Sequence, residues 1–132
     1  MTSTEAKGLY ELYRQQAAAH GDAVAVQGLN AADLSYHGFI AQTERIIEAL
    51  TVWGIERGDR VLVQLPNGPE AFVIMHGVGA MAVVLLVDPK AGATEVDYFL
   101  RFVEPKAILL QQGVESSGRA LARQYGVRVI DI

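Results

Sequence analysis

Apolar residues in the first part of the chain follow helical spacing. A stripe at i, i+3, i+4 and i+8 from Leu9 to Ala17 predicts an amphipathic helix on the surface of the protein. The same spacing returns from Phe39 and predicts a second, longer helix. Ser35 is the expected N-cap of that helix, and Gly54 is expected to end it, because glycine readily adopts the left-handed backbone that follows many helices.

The rest of the pattern has strand character. Two short segments, 23–27 and 34–36, lie on either side of a turn and predict a small hairpin. Short strands and helices then alternate: strand 60–65, helix 69–81, strand 83–87, helix 94–104, strand 107–110, helix 115–125 and strand 127–130. This alternation predicts an α/β fold, a mostly parallel sheet with helices on both faces. Strands 60–65 and 83–87 are nearly continuous apolar runs, which are typical of strands covered on both faces.

Length and composition limit the classes of function. The chain has 132 residues and no linker or repeat, so residues 1–132 are expected to form a single α/β subdomain. Hydrophobic residues make up 51% and charged residues only 20%, so we expect either a sheet that is buried on both faces or some apolar surface that meets a partner. The formal net charge is −4, and the cationic residues form no cluster. Nucleic acid is therefore not an expected partner.

Several kinds of site and segment are not expected in this sequence. There is no cysteine, which excludes disulfides and thiolate ligands. His20, His37 and His76 are far apart in sequence and lack the i, i+4 pairing of a helical metal site. The first residues lack the apolar core of a signal peptide, and the longest apolar run, 78–87, is too short to span a bilayer. We therefore expect a cytoplasmic protein without a metal site or a transmembrane segment.

The clearest local signals are two candidate helix caps. Asn67 precedes Pro69 and has Glu70 three residues later, which predicts a capping box at the start of a helix. Thr94 and Asp97 have the same spacing and predict a second capping box. A helix N-terminus that follows a strand is also a common anion site, but Glu70 would repel an anion there. We interpret all four residues as structural.

Other motifs do not support chemistry. Gly77-Val78-Gly79 lies within a predicted helix and lacks the third glycine of a dinucleotide fingerprint, so it predicts a close contact between helices. The small residues at 115–119 are not followed by the Gly-Lys-Ser/Thr of a phosphate loop, so Ser116 or Ser117 is interpreted as an N-cap. No G-x-S-x-G nucleophile elbow is present. We predict no catalytic, cofactor-binding or metal-binding residue in this chain.

The order of several short motifs resembles a known superfamily. Leu34-Ser35-Tyr36, Gly58-Asp59-Arg60-Val61, and Leu65-Pro66-Asn67 with Glu70 follow one another at family-like intervals. They resemble the L-[ST]-Y, G-D-R-V and L-P-N-x-x-E motifs that open the adenylate-forming superfamily of acyl- and aryl-CoA synthetases, luciferases and nonribosomal adenylation domains. Pro105-Lys106-Ala107-Ile108 also resembles a strand of these AMP-dependent synthetases and ligases. The resemblance covers nearly the whole chain.

The resemblance implies a function for a longer parent enzyme. Such ligases convert a carboxylic acid and ATP to an acyl-adenylate with the help of Mg²⁺, and CoA then displaces AMP. The phosphate loop, the ribose-binding aspartate and the catalytic lysine of the family have no counterpart here. The resemblance therefore implies an N-terminal fragment that binds no cofactor itself and is inactive alone. Its partner is expected to be the remainder of the parent enzyme, and the isolated chain is expected to form a homodimer.

A second hypothesis of a different class remains open. The chain could instead be a free-standing α/β interaction or regulatory module without catalytic activity. Both hypotheses fit the same sequence pattern, and the length of the parent reading frame would separate them. The carboxylic acid that a parent enzyme would activate is not indicated by any residue of this sequence.

Overall fold

The computed structural model describes residues 6–132 of the chain. In these residues five helices and six strands follow the predicted order. They are α1 Leu9–His20, β1 Val24–Val26, β2 Leu34–Ser35, α2 Tyr36–Val52, β3 Arg60–Gln64, α3 Pro69–Gly79, β4 Val83–Leu86, α4 Ala93–Val103, β5 Ala107–Leu110, α5 Ser117–Tyr125 and β6 Arg128–Asp131. Strands β1 and β2 form the predicted antiparallel hairpin.

The other four strands form one parallel sheet in the order β4-β3-β5-β6. Val61 of β3 lies opposite Val84 of β4 on one side and Ala107 of β5 on the other. The chain therefore runs outward from β3 to β4, crosses back over β3, and continues through β5 to β6. This topology confirms the predicted α/β fold with a parallel sheet.

Helices cover both faces of this sheet. Side chains alternate along each strand, so Val61 and Val63 pack on one face while Leu62 packs on the other. The first face is covered by α2 and α3 through Leu50 and Val78. The second face is covered by α4 and α5 through buried residues that include Val96, Leu100 and Ala122. The prediction of helices on both faces is confirmed.

The strand at the open edge of the sheet differs from the prediction. Strand β3 is buried from Val61 to Gln64, as its apolar sequence indicated. Strand β4 has an equally apolar sequence, yet Val83 and Leu86 are 51% and 54% exposed. The prediction that both strands are covered on two faces was wrong for the ends of β4, because β4 lies at the edge and the helices pack mainly over the inner strands. Between these ends, Val84 and Leu85 are partly buried against the two helical layers.

Several predicted helix ends are formed as expected. The Ser35 hydroxyl oxygen accepts a hydrogen bond from the backbone N–H of Gly38, at an N···O distance of 3.1 Å. Ser116 caps α5 in the same way by accepting from the N–H of Arg119 at 3.2 Å. Gly54 follows the end of α2 with a φ of 77°, which glycine adopts without a steric penalty. These contacts confirm the caps predicted at Ser35 and Ser116.

The predicted capping box of Asn67 and Glu70 is not formed. Helix α3 begins at Pro69 with Gly68 as its N-cap, and no side chain of the described residues provides the cap hydrogen bond. Proline at the first helical position disfavours helical backbone in the residue before it, so the extended N-cap falls on Gly68. Asn67 is thereby moved one position outside the cap.

The second predicted capping box is not formed either. Helix α4 begins at Ala93 with Gly92 as its N-cap, again without a side-chain cap among the described residues, so Thr94 already lies in the first turn. Asp97 has a different role. Its carboxylate pairs with Arg101 one turn later, at an N···O distance of 2.9 Å, and accepts a hydrogen bond from the Tyr125 hydroxyl. Asp97 therefore connects α4 to α5.

Candidate functional site

The sheet topology places a cleft at the carboxyl ends of β3 and β5. The connection after β3 leads to α3 on one face, and the connection after β5 leads to α5 on the other. Open α/β sheets commonly bind ligands at such a switch point. A cleft of about 240 Å³ lies there, lined by residues of three loops that include Gln64, Pro66, Pro89, Lys90, Gln111, Glu115, Ser116 and Ser117.

Gln64 is the buried polar residue of this cleft. Its side chain is at the carboxyl end of β3 and only 4% of the residue is exposed. The amide nitrogen donates to the backbone carbonyl of Asp88 at 3.1 Å, while Oε1 has no hydrogen-bond partner among the described residues. The Oε1 atom lies against Gly118, where an added Cβ would be 2.3 Å away. A larger residue at position 118 would therefore force the end of the Gln64 side chain to move.

Hydrogen bonds tie the loops around the cleft together. The Ser117 hydroxyl donates to the backbone carbonyl of Ala91 at 3.0 Å, which joins the start of α5 to the loop before α4. In that loop, the Asp88 carboxylate accepts from the backbone N–H of Lys90 at 2.7 Å. The charged residues that line the cleft are Lys90 and Glu115, which have opposite signs. The cleft is therefore not a concentrated cationic site.

An ion pair between Arg119 and Asp131 fixes the loop after β5. The Arg119 guanidinium donates to the Asp131 carboxylate at 2.5 Å and to the backbone carbonyls of Gln111 and Val114, both at 3.1 Å. The hydrogen bond from Arg119 holds the pKa of Asp131 below its usual value. The same bond raises the pKa of Arg119. Sequence reasoning missed this pair, because nothing in the spacing shows that β6 ends beside the first turn of α5.

A second polar contact lies at the opposite end of the sheet, where the strands have their amino ends. Lys106 donates from Nζ to the Gly54 carbonyl at 2.6 Å and to the Asp59 carboxylate at 3.0 Å. Asp59 also accepts from the backbone N–H of Glu56 at 2.6 Å, and this bond is the main cause of its lowered pKa, with Lys106 second. Asp59 and Lys106 belong to two of the motifs on which the family resemblance rests. In this structure they join the start of β3 to the start of β5.

The structure shows where His37 and His76 lie and whether the described residues could hold a metal ion. In residues 6–132 no group of three or more His, Cys, Asp or Glu side chains is arranged to hold a metal ion. His37 lies near Asp22, and His76 lies among aromatic rings of three helices. Over the same residues, no helix has the length and apolar character needed to cross a membrane.

Gly77 confirms the predicted close contact between helices, since an added Cβ would lie 2.6 Å from Cδ1 of Ile46 in α2.

Comparison with known proteins identifies the family. A family model described as AMP-binding enzyme matches residues 13–131. This chain belongs to the AMP-binding enzyme family. Among curated relatives of this chain, a 2,3-dihydroxybenzoate-AMP ligase of Bacillus subtilis is 33% identical over 118 residues, which are 86% of this chain and 21% of the relative. A nicotinic acid-CoA ligase of Penicillium canescens is 33% identical over 71% of this chain and 17% of the relative.

Solved structures show the same relationship. ATP-bound MatB from Rhodopseudomonas palustris is 26% identical, with a TM-score of 0.74 over 83% of this chain and 22% of the MatB chain. The N-terminal subdomain of Klebsiella oxytoca NpsA matches with a TM-score of 0.80 over 96% of this chain, at 16% identity, and so supports the fold alone. The chain spans about a fifth of the length of the curated relatives reported above. The predicted membership of the superfamily and the predicted N-terminal subdomain fold are confirmed.

Proposed function

We propose that this chain is the structural N-terminal part of an AMP-forming acid-CoA ligase and that it contributes scaffold rather than a nucleotide site. One observation carries this proposal. The chain matches the AMP-binding family over residues 13–131, yet Asp59 and Lys106, in motifs that resemble the family, are engaged in contacts within the sheet layer. In a parent enzyme, ATP, Mg²⁺ and CoA would then be bound mainly by other segments.

The cleft at the carboxyl edge does not fit a polyphosphate. A phosphate cradle presents converging N–H groups and cations to the anion. Here Glu115 offsets the charge of Lys90, and the Gln64 oxygen, which has no partner within residues 6–132, is a hydrogen-bond acceptor. Ser116 already caps the N–H of Arg119 at the start of α5. We derive no catalytic step through this cleft.

Apolar surface beside β4 is the proposed contact with the rest of a longer chain. A groove of about 370 Å³ runs between α3 and β4 and is lined by Phe72, Met75 and Leu86, among others. Val83, on the same edge strand, is also exposed, but it points to the other face of the sheet because side chains alternate along a strand. Exposed apolar side chains beside an unpaired strand edge are typical of an interface. When the chain is isolated, we propose that this surface pairs two copies into a homodimer.

The substrate class is proposed from the relatives. Their names include ligases of 2,3-dihydroxybenzoate, of nicotinic acid and of fatty acids. We infer that a parent enzyme activates an aryl or acyl carboxylic acid, and we propose a cytoplasmic location. A role in fatty acid metabolism is one form of this proposal.

Pyrophosphate exchange tests the proposed division of labour. The purified chain is expected to incorporate no labelled pyrophosphate into ATP with 2,3-dihydroxybenzoate, nicotinate or a long-chain fatty acid. The Bacillus subtilis 2,3-dihydroxybenzoate-AMP ligase serves as the positive control under the same conditions. Exchange above the level of a protein-free sample would contradict the scaffold proposal, because adenylate formation requires cationic stabilisation of the phosphates.

A further inference from the structure

A cluster of four rings joins three helices away from the sheet. Tyr13 comes from α1, Phe39 from α2, and Phe72 and His76 from α3. The His76 ring centroid lies 5.2 Å from Tyr13, 5.8 Å from Phe39 and 4.4 Å from Phe72. Tyr13 also meets Phe39 edge to face at 5.1 Å. His76 is therefore in contact with every other ring of the cluster.

Helix α1 depends on this cluster for its position. Ala17 is its single fully buried residue, and Leu9 is 60% exposed. The N-cap of α1 is Gly8, and no side chain in the described part of the chain caps it. Helices with few buried apolar contacts open locally at a lower free energy than the core does. The ring contacts of Tyr13 are thus a large part of what holds α1 against α2 and α3.

Protonation of His76 would place a charge in this apolar contact. Burial lowers the pKa of His76, and no charged neighbour contributes to the shift. The adjacent cleft is lined by Lys7, Tyr10 and Glu11 from the α1 side and by Arg57 from the turn before β3. Helix α2 contributes Thr43 to the lining of this cleft and α3 contributes Met75, and both side chains are uncharged.

These groups do not compensate an imidazolium. Two cations and one carboxylate line the cleft, and the carboxylate of Glu11 accepts a hydrogen bond from the backbone N–H of Lys7 at 2.8 Å. Attraction between the imidazolium of His76 and the faces of the neighbouring aromatic rings would instead favour protonation. Desolvation and the net positive surroundings oppose protonation more strongly, because even a partly buried charge without a paired counter-ion is costly.

We propose that His76 is an acid-sensitive latch for α1. With a neutral imidazole, α1 packs on α2 and α3. When His76 takes up a proton, Leu9–His20 separates from the aromatic cluster while the sheet and its two helical layers stay folded. Linkage sets the direction of the pH effect. The conformation in which α1 has separated binds the proton more readily, so docking of α1 is complete above the ordinary histidine pKa and weakens as the pH falls through that value.

Hydrogen exchange on the complete 132-residue chain tests the latch. Amide protection of α1 is measured at about pH 7.5 and about pH 5.5, corrected for intrinsic exchange, while NMR follows the His76 ring resonance over the same range. We expect α1 protection to fall several-fold at the lower pH, with the fall beginning near the ordinary histidine pKa and the His76 resonance of the docked state titrating at lower pH. Protection of α4 and α5 is expected to stay constant.

Two variants separate the latch from general acid sensitivity. His76→Leu keeps an apolar side chain in the cluster and is expected to retain α1 protection at both pH values. His20→Gln removes a histidine in the last turn of α1 and is expected to behave like the original chain. The proposal is overturned if His76 titrates at or above the ordinary histidine value, if α1 protection is unchanged, or if His76→Leu keeps the pH dependence. If His76→Leu does not fold, the titration and exchange of the unmodified chain still decide.

Discussion

Ser35 and Asn67 show how much a single side chain contributes to a helix start. Ser35→Ala removes the acceptor of the Gly38 N–H, and we expect it to lower the free energy of unfolding by about 1 kcal/mol. Asn67→Ala is the matched variant, because Gly68 occupies the cap position of α3. It is expected to change stability by less than about 0.5 kcal/mol. Urea unfolding midpoints measure both, and equal losses would contradict the observed cap positions.

Two caps could be predicted from a serine at the start of a helix. Ser35 caps α2, and of the two serines predicted as alternatives Ser116 caps α5, while Ser117 lies in the first turn. At α3 the predicted cap Asn67 is one position too early, because Pro69 restricts the backbone before it and places the cap on Gly68. The role of Asp97 was unpredictable in another sense, because its Tyr125 partner lies on a different helix.

The contact between α2 and α3 depends on one glycine of a pair. An added Cβ at Gly77 would lie 2.6–2.8 Å from three atoms of Ile46, whereas at Gly79 it would lie 3.5 Å from Val84, an ordinary contact. We expect Gly77→Ala to destabilise the chain by about 1–3 kcal/mol through overpacking.

Gly79→Ala is the matched control for this contact. Alanine favours helix over glycine by up to about 1 kcal/mol, so this variant is expected to be neutral or stabilising. Thermal unfolding followed by circular dichroism compares the two variants. A smaller loss for Gly77→Ala than for Gly79→Ala would show that Ile46 does not restrict the first position.

Element types were predictable from periodicity, but the position of each strand in the sheet was not. The apolar sequences of β3 and β4 are alike, and both indicated full burial. The difference arises from the crossover that carries the chain from β4 back over β3 to β5, which leaves β4 at the edge. Strand order is a property of the tertiary fold, so short apolar runs alone could not reveal it.

The contacts of the candidate site also depend on the tertiary fold and could not be predicted from the sequence. Gln64 lies within a predicted strand, and its neighbours in sequence are apolar. Its contacts with Asp88 and Gly118 join segments 24 and 54 residues away along the chain. A glutamine between apolar residues of a predicted strand was the available sequence signal for this site, but its contacts depend on the register of β3 and β5.

At the scale of the whole molecule, the exposed edge strand predicts self-association. Leu86→Lys places a charge on the proposed contact surface and is expected to shift the chain from dimer toward monomer. Leu29→Lys is the matched control, since Leu29 is 96% exposed in the hairpin turn. Light scattering over a wide concentration range gives the mass of each variant. A monomeric unmodified chain, or equal effects of both substitutions, would count against the β4 surface.

We propose that this member of the AMP-binding family contributes fold without holding the nucleotide. Isothermal titration of Mg²⁺-ATP into the purified chain tests it most directly, with the full-length Bacillus subtilis relative titrated in parallel. No saturable heat is expected for the chain at ATP concentrations that saturate the relative. Saturable binding with a micromolar dissociation constant would contradict the proposal, and loss of that binding on substitution of Lys90 would locate the nucleotide in the carboxyl-edge cleft.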